Sequence, residues 1–218
     1  VFTSDHGIGI LPRAKGTLYD GGLEIPLIVR WPGGGLTGGR TCDAYTSNVD
    51  FLPTLLDLLD VDPPEILHGS SFAGALVGGD AGPERDATFS NKFHQCRAVR
   101  TATHKLIWNA KPRRVTTAPA NMDDPECEPG WPVWELYDLV RDPLESRNLS
   151  VHPPVHHAGE HQEEVNRMWE DVPHQPQVEA ELRRRLLEWM ERIGDPILQG
   201  NPMTNYDRDA RTELRGDG

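Results

Sequence analysis

A carboxylate and an imidazole stand side by side near the start of the sequence, at Asp5 and His6, directly after the apolar residues 1–3. That order predicts the end of a buried strand followed by a loop. In open α/β sheets ligands bind outside the carboxyl ends of strands, and these two side chains suit a divalent cation. One interpretation is that they are two ligands of a metal site whose remaining ligands come from elsewhere. The alternative is a turn in which Asp5 caps backbone amides and Gly7 adopts a positive φ.

A lysine in a glycine-punctuated loop is the next candidate. Lysine is scarce in this chain, with four Lys against 18 Arg, and Lys15 lies between Arg13 and Gly16. A compact ammonium charge beside a metal site could bind an oxyanion. The alternative is a solvated lysine with no such role.

Histidines supply two further candidates. His94 follows a predicted strand and could line the mouth of a pocket as a substrate contact, with a structural or surface role as the alternative. Four more histidines within residues 152–161 have the spacing of one helix face. Two prolines interrupt them, however, and no Cys or Asp completes a tetrahedral metal site. We interpret that segment as a solvated linker.

The elements that must position these residues follow two patterns. In the first part of the chain, residues 25–31 are a short apolar run, typical of a strand buried on both faces of a parallel sheet. Apolar residues then recur at helical spacing from a predicted N-cap at Asp50 to the helix-ending Pro63. Strand, loop, strand and helix in this order are typical of an α/β domain.

The pattern changes after residue 85. Four short strands are predicted, and neighbouring strands this close in sequence pair antiparallel. An amphipathic helix follows over residues 178–193, and Gly194 marks its end. The predicted strands are residues 87–90, 97–101, 105–108 and 134–137.

Composition argues against several classes of function. The 218 residues carry a formal net charge of −12, which disfavours general nucleic-acid binding and docking on anionic lipid. No apolar run approaches the roughly 18–20 residues of a membrane span. Three Cys are too few for a disulfide scaffold. Because the chain opens at Val1 with neither Met nor a signal peptide, we expect it to be a portion of a longer protein.

Taken together, these motifs closely resemble the second half of the sulfatase family, which belongs to the alkaline-phosphatase-like superfamily. The resemblance extends from residue 1 to about residue 195. Residues 12–20 and 97–107 look most like those of heparan N-sulfatase (N-sulfoglucosamine sulfohydrolase) relatives. The matching segments are residues 3–7 (TSDHG), 15–22 (KGTLYDGG), 25–33 (IPLIVRWPG), 50–57 (DFLPTLLD), 134–149 with its WELYD, DPLE and NL motifs, and the helix at 178–193.

The resemblance implies roles at matching positions. Asp5 and His6 would be two of the four protein ligands of a divalent cation, usually Ca²⁺. Lys15 would contact the sulfate or the leaving-group heteroatom of a sulfated small molecule or glycan. Many members have Asn where this chain has His6, which leaves the metal open between Ca²⁺ and another ion such as Mn²⁺.

The resemblance also shows what these residues lack. The family's nucleophile is a formylglycine made from Cys or Ser within a Cys/Ser-x-Pro-x-Arg motif. None of Cys42, Cys96 and Cys127 begins such a motif. The nucleophile and the first two metal carboxylates are therefore expected in an N-terminal half outside this chain, and we expect the 218 residues alone to be inactive.

The predicted fold class is α/β. It comprises the C-terminal part of an alkaline-phosphatase-like sandwich, then a small antiparallel sheet plus a C-terminal helix. We assign residues 1–85 to the end of the large domain, 86–198 to the subdomain and 199–218 to a flexible tail. The implied reaction is hydrolysis of a sulfate ester or N-sulfate on a sugar. The alternatives are a phosphoester or phosphonate hydrolase of the same superfamily, and a non-catalytic module that binds a cation or a glycan.

Overall fold

The computed structural model describes residues 1–9, 13–78, 82, 85–92, 96–110, 133–151, 170–199 and 210–215. Backbone contacts divide the chain into two compact units. Unit 1 comprises Val1–His6 and Glu24–Thr88, and unit 2 comprises Gly7–Leu23 and Phe89–Gly218. The loop that carries Lys15 therefore groups with the C-terminal part of the chain, whereas the sequence placed it with residues 1–85.

Two short strands of unit 1, β1 (Phe2–Thr3) and β2 (Leu27–Ile28), pair antiparallel, with Phe2 opposite Ile28. The prediction of buried strands and of a parallel sheet is wrong for this pair, since Phe2 is 61% and Ile28 59% exposed. An apolar strand is buried only where a second layer covers it. In the part of the chain that the structure describes, no such layer lies over these two side chains.

The helix that follows in unit 1 is α2 (Phe51–Leu58), and a 3-10 turn ending at Asp50 leads into it. The predicted N-cap, Asp50, lies inside this turn, so the helical segment begins after Ser47. The buried Asp50 carboxylate accepts hydrogen bonds from the backbone N–H groups of Ser47 (2.7 Å) and Ser70 (2.9 Å). Arg85 Nη2 lies 2.5 Å from Asp50 Oδ1, so the buried charge is paired.

The apolar side chains that predicted α2 do not form its buried face. Helical spacing indicates a helix but does not say which side a neighbour covers. The buried side of α2 includes Thr54, whose Oγ1 accepts a hydrogen bond from Phe72 N at 3.0 Å. Phe72 directly precedes the short helix α3 (Ala73–Leu76). Exposed on α2 and just after it are Leu52, Leu55 and Leu59.

Unit 2 is built on an antiparallel sheet in the order β3-β4-β5-β6, which confirms the predicted antiparallel subdomain. Ala98 pairs with Ile107, and Leu106 pairs with Leu136. Every residue of β6 is buried, as are five of the six residues of β5. The strands are β3 (Ala87–Lys92), β4 (Cys96–Thr101), β5 (His104–Asn109) and β6 (Trp134–Asp138).

The predicted C-terminal helix is confirmed as α4 (Pro176–Ile193), which begins with proline in its first turn. Gly194 ends it at a φ of +64°, in the left-handed conformation that glycine adopts without strain. A further helix, α5 (Ala210–Arg215), lies within the segment predicted as a flexible tail, and its Leu214 is buried. Within the described residues, no helix combines the length and apolar character that a membrane crossing requires.

The short helix α1 (Asp20–Leu23) belongs to unit 2 and closes the loop that carries Lys15. The side chains just before it pack on the sheet, because Leu18 and Tyr19 share a buried cluster with three sheet residues. Those sheet residues are Ala98, Ile107 and Tyr137. The sheet therefore supports the loop directly.

Candidate functional site

The predicted metal ligands lie together in unit 1. His6 Nε2 is 3.6 Å from Asp5 Oδ1, and the Asp5 side chain is 87% exposed. Ser4 Oγ donates to the carbonyl of His6 at 2.9 Å, which holds the turn that presents both side chains. The two donor atoms therefore face each other across a short gap at an accessible place.

The separation of these donors fits one shared cation. Two ligands about 2.4 Å from a cation and at right angles to each other are about 3.4 Å apart. The observed gap between His6 Nε2 and Asp5 Oδ1 is 3.6 Å. In the part of the chain that the structure describes, no group of three or more His, Cys, Asp or Glu side chains could hold a metal ion. The pair could thus supply part of a metal site and needs ligands from outside these residues.

The predicted oxyanion-binding lysine lies in unit 2. The Lys15 side chain is exposed, while its backbone N–H donates to the carbonyl of Ile8 at 2.9 Å. Gly7 and Ile8 also contact the far end of the loop, since Gly7 N donates to Gly22 O and Ile8 N to Gly21 O, both at 2.9 Å. The loop backbone is therefore closed by hydrogen bonds, and the ammonium group stays open to solvent.

Glycine is required where this loop closes. A Cβ built on Gly7 would overlap the carbonyl oxygen of Gly21, and one built on Gly22 would overlap that of Ala14. Close approach of two backbones is a use that only glycine serves. Gly7 is therefore required by the close approach of the Gly21 carbonyl, and Gly22 by the close approach of the Ala14 carbonyl.

A buried carboxylate holds Tyr19, just before the end of the loop, against the sheet. The hydroxyls of Tyr19 and Tyr137 each donate to Glu135 Oε2 at 2.5 Å, and Asn109 Nδ2 donates to Glu135 Oε1 at 2.7 Å. Burial, together with the Glu135 carboxylate, raises the pKa of both phenols. Both tyrosines therefore stay protonated and remain donors.

A second buried group of charges lies where the loop ends. Lys105 Nζ is 2.5 Å from Asp20 Oδ1 and 2.6 Å from Glu145 Oε1, and Lys105 is fully buried. Arg100 Nε adds a contact of 3.2 Å to Asp20. Burial acts to raise the pKa of Asp20, but Lys105 and Arg100 outweigh it and lower that pKa below its ordinary value. Burial raises the pKa of Glu145 against the opposing effect of Lys105.

Sequence reasoning missed Lys105 and Glu145. One signal was present, because Lys105 is one of only four lysines and stands in an otherwise apolar predicted strand. Glu145 lay within the recognised DPLE motif but carried no assigned role. The predicted substrate contact His94 lies outside the described residues, as do the four histidines within 152–161.

Comparison with solved structures defines the class of fold. A crystal structure of a putative sulfatase from Bacteroides thetaiotaomicron superposes with a TM-score of 0.58 at 20% identity. The superposition covers 98% of this chain and 39% of that one. The chain therefore shares the mixed α/β fold of that structure.

Sequence comparisons narrow the class to a family. A family model for Sulfatase matches residues 1–61. An ulvan-active sulfatase from Formosa agariphila is 30% identical over 220 residues, which cover 89% of this chain and 33% of that protein. Human N-sulphoglucosamine sulphohydrolase is 27% identical over 216 residues, which cover 82% of this chain and 42% of that protein.

The chain belongs to the sulfatase family, as its motifs indicated. It spans only about a third to two fifths of the length of these curated relatives, at 33% and 42%. The matched relatives include an N-sulphoglucosamine sulphohydrolase, in line with the resemblance of residues 12–20 and 97–107.

Proposed function

We propose that this chain is the C-terminal portion of a hydrolase that removes sulfate groups, as esters or N-sulfates, from sugars. The observation that carries the proposal is the joint presence of the sulfatase motifs, an accessible Asp5–His6 pair and an exposed Lys15 on a braced loop. The names of two relatives, an ulvan-active sulfatase and an N-sulphoglucosamine sulphohydrolase, support a sulfated sugar as the substrate class.

Asp5 and His6 would hold a divalent cation, with Ca²⁺ as the first choice. When bound, such a cation supplies positive charge against the oxygens of a sulfate group. Carboxylate oxygen is a ligand that Ca²⁺ prefers, whereas an imidazole nitrogen is a softer donor that also suits Mn²⁺. Ca²⁺ takes about six to eight ligands, so these two side chains contribute a minority of them.

Lys15 would bind the sulfate or the leaving-group heteroatom. Its ammonium group is a compact charge with three donors, which suits the spread of negative charge over sulfate oxygens during cleavage. The chain as a whole carries a net charge of −12, so the field that attracts an anionic substrate must be local. Among this chain's own residues, Lys15 would supply such a local positive field.

The chain's own residues do not encode the covalent step. No Cys or Ser in the 218 residues is followed by x-Pro-x-Arg, the motif from which the family makes its formylglycine nucleophile. Charge stabilisation by the pair and Lys15 would remain in the isolated chain, but covalent catalysis would not. We therefore expect no sulfate release by these residues alone.

The test uses the longer protein that contains this chain, assayed on an aryl sulfate, an aryl phosphate and an N-sulfated glucosamine. Sulfate release from the aryl or sugar sulfate supports the proposal, and Lys15→Ala should lower kcat/KM by at least about a hundredfold. Arg141→Ala is the matched control, because the Arg141 side chain is 84% exposed and its removal changes the net charge by the same amount as Lys15→Ala. Faster cleavage of the phosphate overturns sulfate specificity. Binding of the glycan without cleavage of any substrate indicates a non-catalytic module.

A further inference from the structure

Both ends of the Lys15 loop attach to the same residue. At the start of the loop, Arg13 Nη1 donates to the backbone carbonyl of Glu145. At its end, the backbone N–H of Asp20 donates to Glu145 Oε2 at 2.6 Å. Lys15 lies between these two attachments, so Glu145 fixes the span of chain that presents the ammonium group.

Lys105 completes this arrangement from beneath. It lies on β5 with no exposed surface, and its Nζ contacts both Asp20 and Glu145 at 2.5 and 2.6 Å. One buried cation therefore contacts both the Asp20 carboxylate at the end of the loop and the carboxylate of Glu145, the residue to which both ends attach. We call Lys105 and Glu145 together the loop clamp.

The backbone at the clamp is held in an uncommon conformation. Glu145 has a φ of +55° and Arg13 a φ of +57°, both in the left-handed region that residues other than glycine seldom occupy. Asp142 holds the turn around Glu145, since its Oδ2 accepts from Arg147 N (2.7 Å) and its Oδ1 from Ser146 Oγ (2.8 Å). Such a conformation persists only where the surrounding structure enforces it. The backbone conformation of the DPLE segment therefore sets the direction of the Glu145 carboxylate, which contacts Asp20 N and Lys105 Nζ.

Stability alone does not explain a buried cluster of charges. Replacing a buried ion pair by apolar side chains of similar volume is often neutral or stabilising, because the charges no longer have to be taken out of water. What an ionic cluster adds here is one defined geometry between the loop and the sheet. Three of these four contacts reach the loop directly, at Arg13 or Asp20, and the fourth joins Lys105 to Glu145.

We propose that Glu145 and Lys105 are positioning residues, which hold the Lys15 loop so that the ammonium group is presented to the substrate from one fixed place. This inference rests on the proposed function of Lys15. The clamp residues act through Lys15 and do not touch the substrate themselves.

The first test measures the loop without any activity. In the longer protein, hydrogen–deuterium exchange of residues 13–23 should become about tenfold faster in Glu145→Gln and in Lys105→Met, with the strands of the sheet unchanged. Glu181→Gln is the control, because its ion pair with Arg184 is exposed and remote from the loop in sequence. Unchanged exchange in both clamp variants overturns the proposal, and so does loss of protection throughout the protein.

The second test couples the clamp to Lys15 in a double-mutant cycle. Glu145→Gln should lower kcat/KM about tenfold in the wild-type background but less than about twofold when Lys15 is already Ala. A residue that only stabilises the fold would lower kcat/KM equally in both backgrounds, and that result overturns the inference. If Lys15→Ala alone leaves kcat/KM unchanged, the proposed function of Lys15 fails, while the exchange experiment still decides whether the clamp holds the loop.

Discussion

Arg97 on β4 and Asp195, which follows α4, form a buried ion pair with two parallel hydrogen bonds. Arg97 Nε lies 2.6 Å from Oδ2 and Nη2 lies 2.9 Å from Oδ1. The two side chains are 3% and 1% exposed. Asp195 Oδ1 also accepts the backbone N–H of Ile197 at 3.0 Å, so the pair joins the end of the C-terminal helix to the sheet.

Removing one partner of this pair should be strongly destabilising. Asp195→Ala leaves the Arg97 charge buried without its carboxylate, and we expect the free energy of unfolding to fall by about 3–5 kcal/mol. Urea unfolding followed by circular dichroism measures this loss. Glu181→Ala, which breaks an exposed ion pair with Arg184, is the control and should leave the unfolding midpoint unchanged. Equal losses of unfolding free energy in the two variants would show that the buried pair contributes no more to stability than the exposed one.

The two glycines near Lys15 should respond very differently to substitution. A Cβ at Gly7 would overlap the carbonyl oxygen of Gly21, whereas a Cβ at Gly9 meets no atom within 4 Å. We expect Gly7→Ala to lower the free energy of unfolding by about 1–3 kcal/mol and Gly9→Ala to leave it nearly unchanged. Thermal unfolding of both variants checks this, and an unaffected Gly7→Ala protein would contradict the close contact between the two backbone segments.

The Asp5–His6 pair predicts that activity depends on a divalent cation. Chelation should abolish sulfate release by the longer protein, and added Ca²⁺ should restore it. Asp5→Ala removes a ligand and should raise the Ca²⁺ concentration needed for half-maximal activity by at least about tenfold. Asp62→Ala, at an exposed position, is the control. If Asp5→Ala and Asp62→Ala need the same Ca²⁺ concentration as the wild type, Asp5 is not a ligand.

Cys96 should alkylate slowly while the protein is folded. Burial raises the pKa of its thiol from an ordinary value of 9.0 to about 11, and the thiolate is the reactive form. At pH 8 the thiolate fraction, and with it the alkylation rate, should be about a hundredfold lower in the folded than in the unfolded protein. Because the folded pKa is the higher one, Cys96 contributes stability below about pH 9 that is lost as pH rises towards 11.

Mass spectrometry of a Cys127→Ser variant, treated with iodoacetamide in the presence and absence of urea, measures the Cys96 rate in both states. Cys42 is exposed and serves as the internal control for reagent reactivity. Equal rates for folded and unfolded Cys96 would show that burial does not protect the thiol.

Local sequence patterns predicted much of unit 2. Four short predicted strands lie close together in the sequence, which indicated an antiparallel sheet, and the structure has one. The helical spacing of Leu182, Leu186 and Met190 indicated a buried helix face, and all three side chains are buried. These features depend on neighbours within a few residues, which is why spacing carries them. The same reasoning failed for β1, β2 and the apolar face of α2, because exposure depends on what packs against an element.

The sequence by itself determined the family, through the order of its motifs, and the identity of the candidate chemical groups at Asp5, His6 and Lys15. Only the tertiary structure decided that Lys105 and Glu145 brace the Lys15 loop. Asp20 is separated by 85 residues from Lys105 and by 125 from Glu145, so no local spacing links them. A charged side chain has the same appearance in a sequence whether water or a buried partner satisfies it, and burial is a property of the folded chain.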